Sequence, residues 1–281
     1  MSSSSSSASV TKASNYVTFI STICGKLKDI KRTGWVRSGI PFPESDADHM
    51  HRCAMCAMLL FQDNFDEQDD DNDHASYYHP SKVDKNKLLK MALTHDLCES
   101  LAGDITPHCG TELLMSKEAK EQAAMEEIRN LIGDPLGTEL FDLWREYEDQ
   151  ESVEAIYCKD IDKFEMVVQA FEYEEKHLIR RSTNNVDRDP VSVDVSAEPI
   201  ALRTTLPGDG SGVLQQPLRG FFASTNSSIK TPLFRKMDRE VRDRREVLLK
   251  ERGWSVMDDE RQHAQEAGSE VTVDVIEVDQ E

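Results

Sequence analysis

The stretch that most restricts what this chain can fold into is LLKMALTHDLCESLAGDITP, Leu88–Pro107. Leu88, Leu89, Met91, Ala92 and Leu93 give it an apolar helical stripe, so the spacing predicts a central helix over about Asp84–Leu101. That helix carries His95, Asp96 and then Glu99 inward, and a Gly-Asp turn and a proline stop it. An imidazole beside a carboxylate on a buried surface is costly unless a further charge compensates it. A bound metal ion is the most economical compensator. A lone His-Asp pair needs other ligands, and the rest of the chain must supply them.

The flanking segments share the helical period. Apolar positions Val17, Phe19, Ile20, Ile23, Cys24 and Leu27 outline a helix over Asn15–Lys28. A basic cluster follows, Lys26, Lys28, Lys31, Arg32 and Arg37, with Trp35 in its middle. Pro43 and Ser45 then open a helix through Phe61, on which His49, Cys53, Cys56 and Leu60 share a stripe. With no second Cys pair to complete a zinc site, the two thiols read as core packing. Further helices start at Ser116, near Leu136 and at Ser152, the last running to about Lys176. Another covers Thr231–Arg252, with Phe234, Met237, Val241 and Leu248 inward and its arginines and acids on a solvated face. Almost no stretch alternates as a strand does. The expected fold class is all-α, a bundle of about five to seven helices.

One domain over residues 14–252 accounts for the pattern, interrupted at about 62–84 by an acidic insertion and at 177–216 by an irregular one. A Ser-rich tail, 1–13, precedes it, and an acidic tail, 253–281, follows. The formal net charge of −20 argues against a nucleic-acid polymer as partner, since that needs a positive footprint. An anionic substrate would therefore need a local positive site, which a metal provides. No apolar run is long enough to span a membrane. The six scattered cysteines suit a reducing compartment, so the expected address is the cytosol, with or without the nucleus. Organelle targeting by the Ser-rich start fits less well, because that stretch is short and lacks arginine.

A metal site across helices needs ligands from several of them. The candidates are His49, the His95–Asp96 pair and an aspartate on the helix after Ser152. Two imidazoles with two carboxylates suit manganese, cobalt, iron, nickel or magnesium better than structural zinc. Spacing alone leaves two readings open, a metal centre and hydrogen-bonded core histidines.

H…HD…D, in this order on successive helices, resembles the HD-domain metal-dependent phosphohydrolases. RTGWV (Arg32–Val36), PES-x-x-DHM (Pro43–Met50), LTHDLCE-x-x-x-GDI (Leu93–Ile105), LWREYE (Leu143–Glu148) and KDIDKFEM (Lys159–Met166) with AFEYE (Ala170–Glu174) resemble the smaller HD-domain 5′-deoxynucleotidases. The similarity covers about Tyr16–Glu175 and resumes over Phe221–Arg252. It implies hydrolysis of a deoxyribonucleoside 5′-monophosphate to deoxyribonucleoside and phosphate. His49, His95, Asp96 and Asp162 would hold a divalent ion, Mn²⁺, Co²⁺ or Mg²⁺. Glu99 would be the general acid/base and Asp104 would take the sugar hydroxyl. Arg32 would clamp the phosphate, and Trp35 would pack on the sugar. A second ion near Glu99, Asp104 and Ile105, and a homodimer, are also implied by resemblance.

Two points stay open. The motif match selects Asp162, whereas a helical wheel sets Asp160 nearer the apolar face of Val153, Tyr157, Ile161, Phe164 and Val168. If Asp162 is the ligand, Asp160 is a supporting group or a surface residue. Asp46-Ala47 replaces the family's usual Val-Ser or Val-Ala, and Asp46 reads as a helix cap. Two other functions use the same fold: a non-catalytic nucleotide-binding or scaffold protein, and a different HD phosphohydrolase. A scaffold would be expected to have lost one of these residues, and a cyclic-nucleotide or triphosphate hydrolase to carry extra histidines or basic groups.

Overall fold

The computed structural model describes residues 12–62, 78–106, 116–180 and 213–255, and over these the chain is helical. The helices are α1 Cys24–Asp29, α2 Thr33–Arg37, α3 Asp46–Met58, α4 Lys85–Ala92 and α5 Glu99–Ala102. They continue with α6 Lys117–Ile132, α7 Leu136–Asp149, α8 Val153–His177, α9 Arg219–Ser224 and α10 Pro232–Glu251. The all-α expectation holds. Among the described residues the only β-pairings are two isolated bridges, Lys31 with Ser45 and Leu178 with Leu214. No described helix is long and apolar enough to cross a membrane. Most of both tails and of the two expected insertions lies outside the described residues.

The organising element is α8. Ser152 caps it, accepting from the Ala155 N–H at 3.1 Å. The helix packs against α3, α4, α7, α9 and α10, so it is buried on several sides at once. Tyr157, Ile161 and Phe164 join Cys53, Leu88 and Phe234 in one apolar cluster. Val167 and Ala170 face another, with Trp35, Phe222 and Leu249. A third cluster gathers Ile23 and Leu27 with Met125 and Ile128 of α6 and Trp144 of α7. There α6 and α7 approach so closely that a Cβ on Gly137 would lie 2.4 Å from the Arg129 carbonyl oxygen, so only glycine fits.

Three local expectations are corrected. The Asn15–Lys28 stripe is not one α-helix: a π-helical turn, Phe19–Ile23, adds a residue to the turn and shifts the phase. Val17 and Ile20 consequently face solvent while Ile23 and Leu27 are buried. The central helix is also interrupted. After α4, the N–H groups of Thr94, Leu97, Glu99 and Ser100 bond three residues back rather than four, and α5 begins only at Glu99. On α10, the face read as solvated carries Arg245 into the interior, paired with Glu174, and Leu249 rather than Leu248 is the buried leucine.

Asp160 settles into a structural position. Its side chain is buried and accepts from the N–H groups of Lys230 (2.8 Å) and Thr231 (2.7 Å), where α10 begins. It is neither a surface residue nor a neighbour of the histidines, but a cap supplied by another helix. Asp160→Ala is expected to cost about 2 kcal/mol, because it strips two orphan donors of a charged acceptor. Urea denaturation checks the loss, and unaltered divalent-ion affinity in the folded variant checks the assignment.

Candidate metal centre

Each side chain of the centre is set by its own element. At the start of α3, the Ser45 hydroxyl accepts from Asp48 N–H and Asp48 reaches back to Ser45 N–H, a capping box. This start places His49 on the inner side of α3, fully buried. The tight turns after α4 place His95 and Asp96 side by side in the same cavity. Asp162 comes from α8 and Arg32 from the residue before α2. Arg32 is held next to α3 by the Arg32 N–H to Glu44 carbonyl bond and the adjoining Lys31–Ser45 bridge.

Four donor atoms converge. His49 Nε2 lies 3.3 Å from His95 Nε2, 3.6 Å from Asp96 Oδ2 and 3.3 Å from Asp162 Oδ1. His95 Nε2 lies 3.3 Å from Asp96 Oδ2. Ligand atoms bonded to one ion at about 2.1 Å stand roughly 3.0–3.4 Å apart, so this spacing fits a metal shell.

Proton positions strengthen the fit. His95 Nδ1 is 3.0 Å from the Ala92 carbonyl oxygen, which can only accept, so Nδ1 carries the proton. His49 Nδ1 is 2.5 Å from Glu165 Oε2 and likewise donates. In neutral rings the two Nε2 lone pairs then face each other, an arrangement that calls for a cation between them. Burial and Arg32 oppose charge on His49, yet Cys53, Glu165 and Asp162 outweigh them and raise its pKa well above the usual range. The cavity thus demands positive charge. Burial pulls the other way on Asp96, but His95, Arg32 and His49 hold its carboxyl below the usual range. Asp162 is held well below it, against burial, by the hydrogen bond with His49 and by Lys159.

Cys53 also stands within ligating reach of His49 and His95. Burial pushes its thiol up to about 12, so the ionised carboxylates are the better donors, and Cys53 packs as a core residue.

The neighbouring groups sort into two sets. Arg32 donates to Asp96 Oδ2 at 3.0 Å and lies 3.9 Å from Asp162 Oδ1. Glu99 is buried with Oε2 unpartnered, and burial, then Asp96, Asp104 and Asp46, raise its pKa well above the ordinary carboxylate value. Asp104 follows Gly103, whose φ of +80° makes the turn, and its Oδ2 accepts from Thr33 N–H at 2.6 Å. Ile105 is buried beside it. The Trp35 indole is only 2 % exposed, packs on Phe221 with ring centroids 4.2 Å apart and donates to Glu44 Oε1. Asp46 is not the cap it resembled: Ser45 and Asp48 do that work. The Asp46 side chain is 0 % exposed and lies beside the Glu99 carboxyl, and burial pushes its pKa up to about 7.

Two residues that the sequence reading passed over complete the surroundings. Glu165 orients His49 and takes Arg52 Nε at 2.8 Å, and Arg52 continues to Glu172 at 2.8 Å. The signal was available as i, i+3 spacings, Glu165 from Asp162 and Arg52 from His49. Glu165→Gln keeps the volume but weakens the acceptor on His49. It is expected to lower divalent-ion affinity about 10–100-fold, as measured by titration calorimetry.

With that geometry established, comparison with known proteins adds the following. The family model for the HD domain matches residues 24–192. A protein of Dictyostelium discoideum described as 5′-deoxynucleotidase HDDC2 is 48 % identical over 166 residues, covering 58 % of this chain and 80 % of the relative. The Xenopus laevis protein of the same description is 39 % identical over 153 residues, covering 54 % and 67 %. The Saccharomyces cerevisiae 5′-deoxynucleotidase YGK1 is 38 % identical over 170 residues, covering 58 % and 69 %.

Proposed function

The chain belongs to the HD domain family, and we propose that within it the protein is a metal-dependent 5′-deoxynucleotidase, releasing phosphate from deoxyribonucleoside 5′-monophosphates. The observation that carries the metal dependence is the convergence of His49 Nε2, His95 Nε2, Asp96 Oδ2 and Asp162 Oδ1, with His49 Nε2 at 3.3–3.6 Å from the other three. The relatives' shared activity carries the substrate class. These four residues would hold the divalent ion, with Mn²⁺, Co²⁺ or Mg²⁺ matching the mixed N/O donors. When bound, the ion supplies Lewis-acid polarisation of the phosphoryl group and a more acidic water.

The remaining chemistry belongs to side chains. Arg32 presents a planar fork beside Asp96 and would clamp phosphate oxygens. Glu99, whose pKa is raised by burial and then by its acidic neighbours, would hold the proton that the leaving 5′ oxygen needs. Asp104 would accept the sugar hydroxyl with the oxygen that Thr33 does not engage. Trp35 contributes by holding Glu44 and the α2 backbone, which fixes Arg32. In a second reading, an ionised Glu99 would instead hold a second ion with Asp104 and the Ile105 segment. The buried Asp46 carboxyl beside Glu99 supports that reading.

The test is phosphate release from a panel of ribo- and deoxyribonucleoside monophosphates with each metal. Glu99→Gln is expected to slow turnover about 10²–10⁴-fold while the four-donor centre still binds metal. Equal release by wild type and variant would overturn the role of Glu99, and no metal-dependent release from any nucleotide would overturn the activity.

A further inference from the structure

The four donors do not themselves account for Tyr147, in the LWREYE segment of α7, or for Lys159, at the head of KDIDKFEM on α8. Tyr147 is buried, and its ring centroid lies 5.1 Å from that of His95. Its hydroxyl donates to Asp162 Oδ2 at 2.8 Å. Lys159 Nζ donates to the same hydroxyl at 2.7 Å, with the ammonium 4.1 Å from the ring centroid. The other Asp162 oxygen, Oδ1, is the one that faces His49 Nε2 at 3.3 Å.

A carboxylate free to turn about its terminal bond can offer an ion either oxygen or both. Tying Oδ2 to a fixed donor removes that freedom and leaves Oδ1 as the oxygen presented to the cavity. The donor here is well made for the purpose. A phenol hydroxyl carries its proton at neutral pH, and this one is aimed at Oδ2. Its acceptor lone pair is filled by Lys159, which fixes the direction in which the hydroxyl points. Because the ring also packs on His95, one residue of α7 touches ligands from two other elements.

We propose that Lys159 and Tyr147 form a positioning relay that locks Asp162 into presenting a single oxygen to the divalent ion. The relay rests on the four-donor reading, and the experiment separates the two. Metal-free full-length protein is titrated with Co²⁺ and followed by visible absorption, for wild type, Tyr147→Phe, Lys159→Met and Lys159→Arg. Tyr147→Phe keeps the packed ring and removes only the hydroxyl. It is expected to bind Co²⁺ about 10–100-fold more weakly, with shifted absorption bands as Asp162 changes its mode of ligation. Lys159→Met is expected to weaken binding by about 10-fold, and Lys159→Arg to recover most of that loss. Purely structural packing by Tyr147 would leave both the affinity and the spectrum unchanged in the phenylalanine variant, and that result overturns the relay. If Tyr147→Phe does not fold, Lys159→Met decides, with wild-type affinity and bands again overturning it. Failure of the wild type to bind Co²⁺ would instead overturn the four-donor centre.

Discussion

His95→Ala is expected to abolish metal-dependent phosphate release, a loss on the order of 10³-fold or more, because the ion's contribution to transition-state charge is worth several kcal/mol. The ring supplies the Nε2 atom 3.3 Å from both His49 Nε2 and Asp96 Oδ2, so its removal leaves a three-donor set open on one side. Asp104 is already held by Thr33 and is not free to replace it. The variant also loses the bond to the Ala92 carbonyl and the packing on Tyr147, so some stability goes with the activity. Measuring Co²⁺ affinity and phosphate release in the same preparation, with circular dichroism to show that the fold persists, separates the two effects. Turnover within tenfold of wild type would contradict the proposed centre.

The largest effect on stability is expected far from the ion, at Glu174. This α8 carboxylate is 0 % exposed and accepts from Arg245 Nε at 2.7 Å, from a second Arg245 nitrogen at 3.0 Å and from Leu218 N–H at 2.6 Å. It therefore ties the long helix to α10 and to the segment leading into α9. Arg245 in turn lies 3.8 Å over the Phe222 ring. Glu174→Ala breaks this buried ion pair, which typically costs about 3–5 kcal/mol. That is a large part of the stability of an ordinary domain. Urea denaturation should show a strongly lowered midpoint. The double variant Glu174→Leu with Arg245→Met should recover much of the loss, because it removes both desolvated charges together. If the double variant is no better than Glu174→Ala, the damage comes from packing rather than from the broken ion pair.

These two residues differ in how readable they were. His95 stands out because an apolar helical run ends in His-Asp, and a matching histidine sits at the start of another helix. The capping box at Ser45 and Asp48 and the serine opening α8 are equally local patterns. Glu174 and Arg245 are 71 residues apart, and α10 has enough alternating charge to pass for a solvated face. The choice between Asp160 and Asp162 failed on a helical wheel for a related reason. A wheel assumes one buried side, and α8 is packed by five other helices. Asp160 could then be as buried as any ligand and still point at the start of α10.

The sequence by itself determined the all-α class and the order of the helices, because helical period and capping are written within a few residues of each position. Tertiary structure alone decided which oxygen meets which partner. It turned Asp160 into a cap, put Trp35 in the core and buried Asp46 beside the Glu99 carboxyl. It also brought Glu165 to His49 and Tyr147 to Asp162. These placements depend on how helices far apart in the chain meet, and on the cost of leaving any buried charge without a partner.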